Sequence, residues 1–585
     1  MSKYPEISDK EFYNKINDIY TKYKVRKEHK TLENICYPKK YKLQLPQQFL
    51  ADFINPKTPY MGILVYHRIG SGKTCTAIQI AEKWKKYKRI IIVVPASLKN
   101  NFRGELRSLC AGENYLKDTE RKELLKLDSS DEKYKEIIKN SNERIDQYYE
   151  IYSYNKFVDY IKNKEINLKN ALLIVDEIQN MVSEEGSFYN ALYKIIHTSP
   201  KDLRIVLLSA TPMFDKPNEI ALTMNLLRMP NEIPIGKLFD KMFIKTTKRQ
   251  DGTYYHNVKN MDLFKQYVKG YISFFRGAPP IVFPKMIVKY VNCEMSDFQY
   301  NAYMRVLKHD EKNTENSTKK LKKVIKSLNV SDLPNNFYIG TRVISNIVFP
   351  NKKINDDGFK SLTNKKIMSD LYIYSCKFAE IMNKIEKCHG KIFIYSSFKE
   401  YGGIKSFIKI LEAFGYINYI KNGVGIKRFA IWSGDENISV KEEIKTVYNM
   451  KENLFGKKIK ILLGSPSIKE GVSLIAVRQV HVLEPYWNKS RLDQVIGRAS
   501  RFCSHKDVPE EKRKINVYIY VAVAPKFNKG KNTIETIDQY IQTLSTEKDK
   551  IIKQFEKAIK EIAIDCYLNI NANVYEEDNN INCEI

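Results

Sequence analysis

The stretch MGILVYHRIGSGKTCTAIQIAEKW, Met61 to Trp84, decides how the amino-terminal half of the chain is read. It opens on a short apolar run, passes through two glycines and continues with apolar residues at helical spacing: a strand, a tight turn and a helix. Gly70 and Gly72 would let backbone N–H groups approach phosphate oxygens with no Cβ in the way, with Ser71 in the same turn. Lys73 would reach the β and γ phosphates of a nucleotide, and Thr74 would offer its hydroxyl to Mg²⁺. The full spacing of such a loop asks for glycine at position 67, where this chain has His67. That histidine either packs or touches a ribose, and packing is the expectation. Alone, the stretch describes a phosphate cradle and leaves open what the nucleotide drives.

A second element narrows the question. ALLIVDEIQN, Ala171 to Asn180, ends an unbroken apolar run in two adjacent acids. An acid at the carboxyl edge of a strand beside a phosphate loop is where Mg²⁺ must be held. Asp176 would take the metal, and Glu177 would polarise the attacking water. A lone pair of acids more often just begins a solvated loop, but not after such a run downstream of such a loop.

Around these elements the rhythm is that of an α/β protein. GILVY, RIIIVV, YEIYSY, ALLIVDE and LRIVLLSAT read as buried parallel strands, and KIFIYSS, RFAIWSGD, IKILLGS, VRQVHVLEP and INVYIYVAVA as a second set. The expected division is a helical extension over 1–42, a first α/β domain over 43–229, a partly helical linker or insertion over 230–373, a second α/β domain over 374–525 and a helical extension over 526–585. The charged stretch from Gly112 to Asp146 is expected to be a solvated helical insertion. GAPPIVFPK should be extended, Ser296 and Gln299 should form a capping box, and NTENSTKKLKK should be a mobile loop. Ile537, Ile541, Leu544, Ile551, Phe555, Ile559 and Ile562 form an amphipathic stripe, expected to pack on the second domain. YEEDNN should fray.

Composition excludes several classes. At 585 residues, 43% hydrophobic and 12% aromatic, the chain can fold as two or three domains and is not wholesale disordered. No apolar run is long enough for a bilayer, and the charged start is no secretory signal. Nine cysteines without a C-x-x-C pair argue for a reducing compartment and against a disulfide framework or zinc ribbon. Cys388 and Cys503 have histidines nearby but no second ligand pair. The net charge of +30 suits a polyanionic partner, although an AT-rich coding sequence would also raise lysine.

With these residues in hand, the chain resembles a superfamily 2 helicase or translocase, in which two RecA-like domains close on ATP. LLSATP, with Ser209, Ala210 and Thr211, resembles the element coupling nucleotide state to the interdomain cleft. QVIGRASR resembles the Q-x-x-G-R-x-x-R element. Arg498 and Arg501, one helical turn apart with Gln494 on the same face, would reach across to the γ-phosphate. LQLPQQ resembles the adenine-reading element, with Gln47 the candidate over Gln48, and Gln179 stands where the family commonly has histidine. VVPASLKNNF, YSYNKF and SPSIKEGVSL resemble segments contacting the nucleic-acid backbone, which offers Ser97, Lys99, Ser467, Lys469 and Glu470 as candidates. Longer stretches, among them GYISFFRGAPPIVFPK and KEIAIDCYLN, resemble the ATPases of large cytoplasmic DNA viruses: the small subunit of the poxvirus early transcription factor and nucleoside triphosphate phosphohydrolase I, with counterparts in giant and asfarvirus-like viruses and on yeast linear plasmids.

The resemblance implies an ATP- and Mg²⁺-dependent translocase on nucleic acid, duplex DNA before RNA, serving viral transcription in initiation or termination. It implies a viral RNA polymerase and a larger transcription-factor subunit as partners, no membrane, and residence in the cytoplasmic viral factory and the virion. The rivals are a strand-separating DNA or RNA helicase, a weakly hydrolysing ATP-gated recruitment subunit, and a phosphate-loop metabolic kinase, which the second sheet and its arginines disfavour. Restriction or remodelling motors would need domains for which there is no length.

Overall fold

The computed structural model describes residues 4–27, 31–68, 70–128, 130–183, 186–248, 254–310, 338–469, 472–526, 535–573 and 581–584. NTENSTKKLKK and most of YEEDNN lie outside them. The chain divides into two compact units, residues 1–279 with 550–585, and residues 280–549.

In the first unit the apolar runs become β1 (Gly62–His67), β2 (Arg89–Val94), β3 (Tyr149–Ser153), β4 (Ala171–Val175) and β5 (Arg204–Ser209). A hairpin, β6 (Ile244–Lys248) and β7 (Tyr254–Val258), follows, then β8 (Ile272–Phe275). The main sheet runs β3-β2-β4-β5-β1-β8, each neighbouring pair parallel. All of β1 and β4 is buried, as continuous β-branched and leucine-rich runs require in a sheet covered on both faces. The helix Lys73–Trp84 lies between β1 and β2 in sequence and buries Ala77, Ile78, Ile80, Ala81 and Trp84. Each of the larger of these side chains contributes about 1.5–3 kcal/mol on leaving water. The charged insertion is helical as expected, over Asp118–Leu124 and Glu132–Asp146.

The second unit holds β9 (Lys285–Glu294), β10 (Lys391–Tyr395), β11 (Ile417–Asn418), β12 (Arg428–Trp432), β13 (Ile461–Gly464), β14 (Val477–Val482) and β15 (Lys514–Val523). Its parallel sheet runs β11-β12-β13-β10-β14-β15-β9, with an apolar cluster on either face.

Several expectations need correction. The segment 230–373 is not a separate linker: it gives β8 to the first sheet and β9 to the second, because strands there complete sheets begun elsewhere in the chain. Pro280–Val282 in GAPPIVFPK is a single 3₁₀ turn rather than extended chain. Ser296 caps the helix that starts at 297, accepting from Gln299 N–H at 3.1 Å. The Gln299 side chain turns inward instead, to the carbonyls of Ile344 and Ser345 and the N–H of Cys376. The helix Ile537–Glu561 does not pack on one domain. Ile537 and Ile541 enter a second-unit core, while Phe555 packs on Phe239 and Phe264 of the first. Cys75–Cys110 and Cys566–Cys583 are disulfides, with Cα–Cα distances of 5.8 and 5.6 Å. Their separations of 35 and 17 residues carry no recognisable spacing, since the fold alone sets the first turn of the Lys73–Trp84 helix beside the Leu109–Ala111 turn. Among the described residues no helix is long and apolar enough to cross a membrane.

Candidate active site

The candidate residues of the first unit gather at the carboxyl ends of β1, β4 and β5, the edge where open α/β sheets bind ligands. The turn after β1 runs through Gly70 (φ 84°) and Gly72 (φ 75°), and Lys73 then opens the helix. The left-handed backbone requires glycine at position 72, and a Cβ there would also displace the Gln47 amide, whose Nε2 it would meet at 2.5 Å.

A line of side chains crosses the strand ends. Lys73 Nζ donates to Glu177 Oε1 at 2.7 Å and lies 3.3 Å from Asp176 Oδ1. Gln179 Nε2 donates to the other oxygen of Glu177, and Gln179 Oε1 accepts from Ser209 Oγ at 2.7 Å. Ser209 Oγ in turn accepts from Thr211 N–H at 3.0 Å. The phosphate loop, the acidic pair and the Ser209–Thr211 turn are thus joined without a break. Gln179 fills the histidine's place with one donor and one acceptor, as the line needs.

Charge and backbone support that arrangement. Burial pushes the Lys73 ammonium down, but Asp176 and Glu177 more than offset this and hold it above its ordinary range. Asp176 is pushed up by burial and by the neighbouring Glu177, against the pull of Lys73, since two carboxyls share one ammonium. Glu177 adopts φ 50°, which costs a non-glycine residue about 1–3 kcal/mol. Tyr154 pins it there, its hydroxyl set 2.5 Å from Asp176 O and 3.0 Å from Glu177 O.

The remaining candidates fall out unevenly. Gln47 is 3% exposed and its amide is engaged within the chain: Oε1 accepts from Gln44 N–H at 2.9 Å and Nε2 donates to Gly72 O at 3.2 Å. It braces the loop, with one N–H and one lone pair left over among the described residues. His67 packs as expected, edge-on to Phe275, and also reaches Ser273. Thr74 is half-buried, Ser97 is exposed on the 3₁₀ turn Ala96–Leu98, and Lys99 begins the next helix. In the second unit, the helix carrying Gln494 ends at Ile496. Arg498 and Arg501 therefore do not share a helix face. They lie in the turns that follow Gly497, where Arg498 N–H bonds to Val495 O and Ala499 N–H to Ile496 O, the tighter i→i+3 pattern of a terminating helix. Ser467 is exposed in the turn Pro466–Lys469; the Lys469 side chain and Glu470 lie outside the described residues. Among the described residues, Cys75, Glu105 and Cys110 are the group of three His, Cys, Asp or Glu side chains whose ligand atoms come close together, and two of them are joined in a disulfide.

Comparison with known proteins agrees with this geometry. Residues 52–220 match the DEAD/DEAH box helicase family and residues 376–503 the helicase conserved C-terminal domain. A protein of Acanthamoeba polyphaga mimivirus named "Putative ATP-dependent RNA helicase R563" is 52% identical over 99% of both chains. "Putative helicase 087L" of Invertebrate iridescent virus 3 is 27% identical over 93% of this chain and 55% of its own. The "Termination factor NPH-I homolog" of African swine fever virus (isolate Tick/Malawi/Lil 20-1/1983) is 27% identical over 87% of this chain and 76% of its own. The fold and the matched families define an ATP-hydrolysing enzyme of the helicase type. The chain belongs to the superfamily 2 helicases of large DNA viruses.

Proposed function

We propose that the protein is an ATP-driven translocase on duplex DNA that serves viral transcription, at initiation or at termination. The observation that carries it is the unbroken line from Lys73 through Glu177, Gln179 and Ser209 to Thr211: a change at the phosphates is felt at the turn that signals to the nucleic-acid side. Lys73 and the N–H groups of the Gly70–Gly72 turn, Ser71 included, hold the phosphates. Glu177 orients and polarises the attacking water. Gln47 reads adenine with the hydrogen-bonding capacity it has left. Arg498 and Arg501, with Gln494, are supplied by the second domain against the charge that develops on the γ-phosphate. Ser97, Lys99, Ser467 and Lys469 touch the polymer backbone.

Thr74 and Asp176 fit a magnesium site, because a hydroxyl and a buried carboxylate are the hard oxygen ligands that ion takes. When bound, the ion neutralises charge on the phosphate oxygens. A viral RNA polymerase, a larger transcription-factor subunit, and residence in the cytoplasmic factory and virion complete the proposal; the relative named as a termination factor supports it. The relative named as an RNA helicase favours a second reading, strand separation on RNA.

One experiment separates them: ATPase activity with no polymer, single-stranded DNA, duplex DNA and RNA in parallel, with Lys73→Ala as control. Duplex stimulation together with triplex displacement, without fork unwinding, supports translocation. Stimulation by RNA alone overturns the substrate assignment.

A further inference from the structure

Among the enclosed polar groups of the first unit that the site leaves unused are His67, Ser273 and Asp565, each 0% exposed. They form a line. Asp565 Oδ2 accepts from Ser273 Oγ at 2.6 Å, and Ser273 Oγ lies 3.1 Å from His67 Nε2. The segment that carries Asp565 covers the edge strand β8 with side chains in place of a further strand. Ile564 N–H donates to Ile272 O at 2.8 Å, and Asp565 Oδ1 accepts from Phe274 N–H at 2.9 Å. Asn569 and Asn573 donate to Phe274 O at 3.3 and 3.2 Å, and Asn573 Oδ1 accepts from Arg276 N–H at 2.8 Å. Residues 565, 569 and 573 are linked by i→i+4 backbone bonds and so share a face.

The direction of the hydrogen bonds follows. Ser273 O–H, Phe274 N–H and Asn569 N–H all meet the Asp565 carboxyl as donors, which suits its ionised, acceptor-only form. Having spent its one proton on Asp565, Ser273 can only accept from His67. The ring proton therefore sits on Nε2 and leaves Nδ1 a bare acceptor. Burial, with the charge of Lys73, pushes His67 down to about 3, so the ring is neutral. Nδ1 has no hydrogen-bond partner among the described residues. The edge strand also reaches the loop by its backbone: Arg68 N–H donates to Phe275 O at 3.1 Å, and a Cβ on Gly277 would lie 3.1 Å from Ser71 Cα.

We propose that Asp565 is a positioning residue for nucleotide binding: through Ser273 it fixes the tautomer of His67 and so presents a hydrogen-bond acceptor where the phosphate loop begins. The proposal rests on the reading of residues 67–74 as that loop, and makes the carboxyl-terminal segment part of the ATP site.

The test uses the full-length protein with ¹⁵N-labelled histidine at pH 8, above the value of about 7 to which burial raises Asp565. The His67 resonances are assigned by difference from His67→Gln. Long-range ¹H–¹⁵N spectra should show Nε2–H in the wild type. In Asp565→Asn the amide oxygen keeps Phe274 N–H while the NH₂ donates to Ser273, and Asn569 gives up its bond to that group and keeps Phe274 O. The Ser273 proton then turns to His67, and the ring should switch to Nδ1–H. Ser273→Ala leaves the Phe274 contacts in place and should give mixed tautomers. It should raise KM for ATP roughly threefold to tenfold, as loss of one hydrogen bond allows, with a smaller change in kcat. Ser273→Thr, which keeps the hydroxyl, should restore both. The same tautomer in wild type, Asp565→Asn and Ser273→Ala, or an unchanged KM in Ser273→Ala, overturns the proposal. Undiminished nucleotide binding by Lys73→Ala would overturn the loop reading on which it rests, whatever the spectra show.

Discussion

The two parallel sheets place buried polar networks at equivalent strand ends and use them differently. In the first unit, Lys73 has two acceptors among the described residues, Asp176 and Glu177, for its three N–H bonds, and the line from it leads outward to Gln179 and the Ser209 turn. In the second, Lys377 meets three acceptors: Asp538 at 2.5 Å, Asn346 Oδ1 at 2.8 Å and Leu483 O at 3.1 Å. Asn346 also donates to Glu484, which accepts from Ser396 Oγ and Ser397 N–H just after β10. Every donor of Lys377 is satisfied by its own domain, so that network calls for no ligand. It ties the start of the Ile537–Glu561 helix to the sheet. One strand edge is a cradle under-supplied with partners, the other a closed clasp.

The largest expected effect breaks the assignment of chemistry to both domains. Arg501→Ala should lower kcat by about 10³–10⁵, the range for a guanidinium acting on a transferring phosphoryl group. Turnover at wild-type rate would leave the arginines outside the reaction. Lys377→Met is the mirror experiment. Leaving Asp538 buried without its cation should destabilise the second unit by about 3–5 kcal/mol, read as a lower urea midpoint. A change in ATP binding without loss of stability would show that the clasp is no mere fastening. A smaller effect is expected from Gln179→Ala. It cuts the line between Glu177 and Ser209 while leaving Lys73 paired, so polymer-stimulated turnover should fall more than basal turnover, by about tenfold for the loss of a hydrogen bond to a charged group. Equal losses would mean that Gln179 only supports Glu177.

What could be read from the sequence follows from what is local. The ten apolar runs became strands because continuous burial leaves its mark within each run. β8 was missed because ISFF is four residues long. β9 was missed because KMIVKYVNCE mixes lysines into an edge strand and looks like linker. The phosphate loop and the acidic pair were legible, since their chemistry depends on neighbouring residues. The Arg498–Arg501 geometry was not, because the spacing fits a helix and only the structure shows that it stops at Ile496. Tyr154, Ser273 and Asp565 left no signal at all: their partners lie 22, 206 and 292 residues away.

The smallest effect sharpens the contrast between a buried lysine that has an acid and one that has none. Lys391 opens β10 fully buried, donates to Tyr448 O at 2.6 Å and lies 4.5 Å from the centre of the Tyr448 ring. With no carboxylate in that set, burial pushes its ammonium down to about 7. The unfolded chain keeps the proton up to the ordinary value of 10.5, so between these limits it binds more protons than the folded state. Stability must then rise with pH, by at most about 1.4 kcal/mol per unit, from 7 upward. Below 7 both states are protonated, and this dependence vanishes. Lys391→Met removes the titration and fills the site with an apolar chain. Its advantage over the wild type in urea midpoint should therefore be largest at pH 7 and below and should shrink towards pH 9. An advantage independent of pH would mean that Lys391 stays charged when buried, held by a carbonyl and a ring face alone. The difference between cradle and clasp would then no longer come down to whether a carboxylate is present.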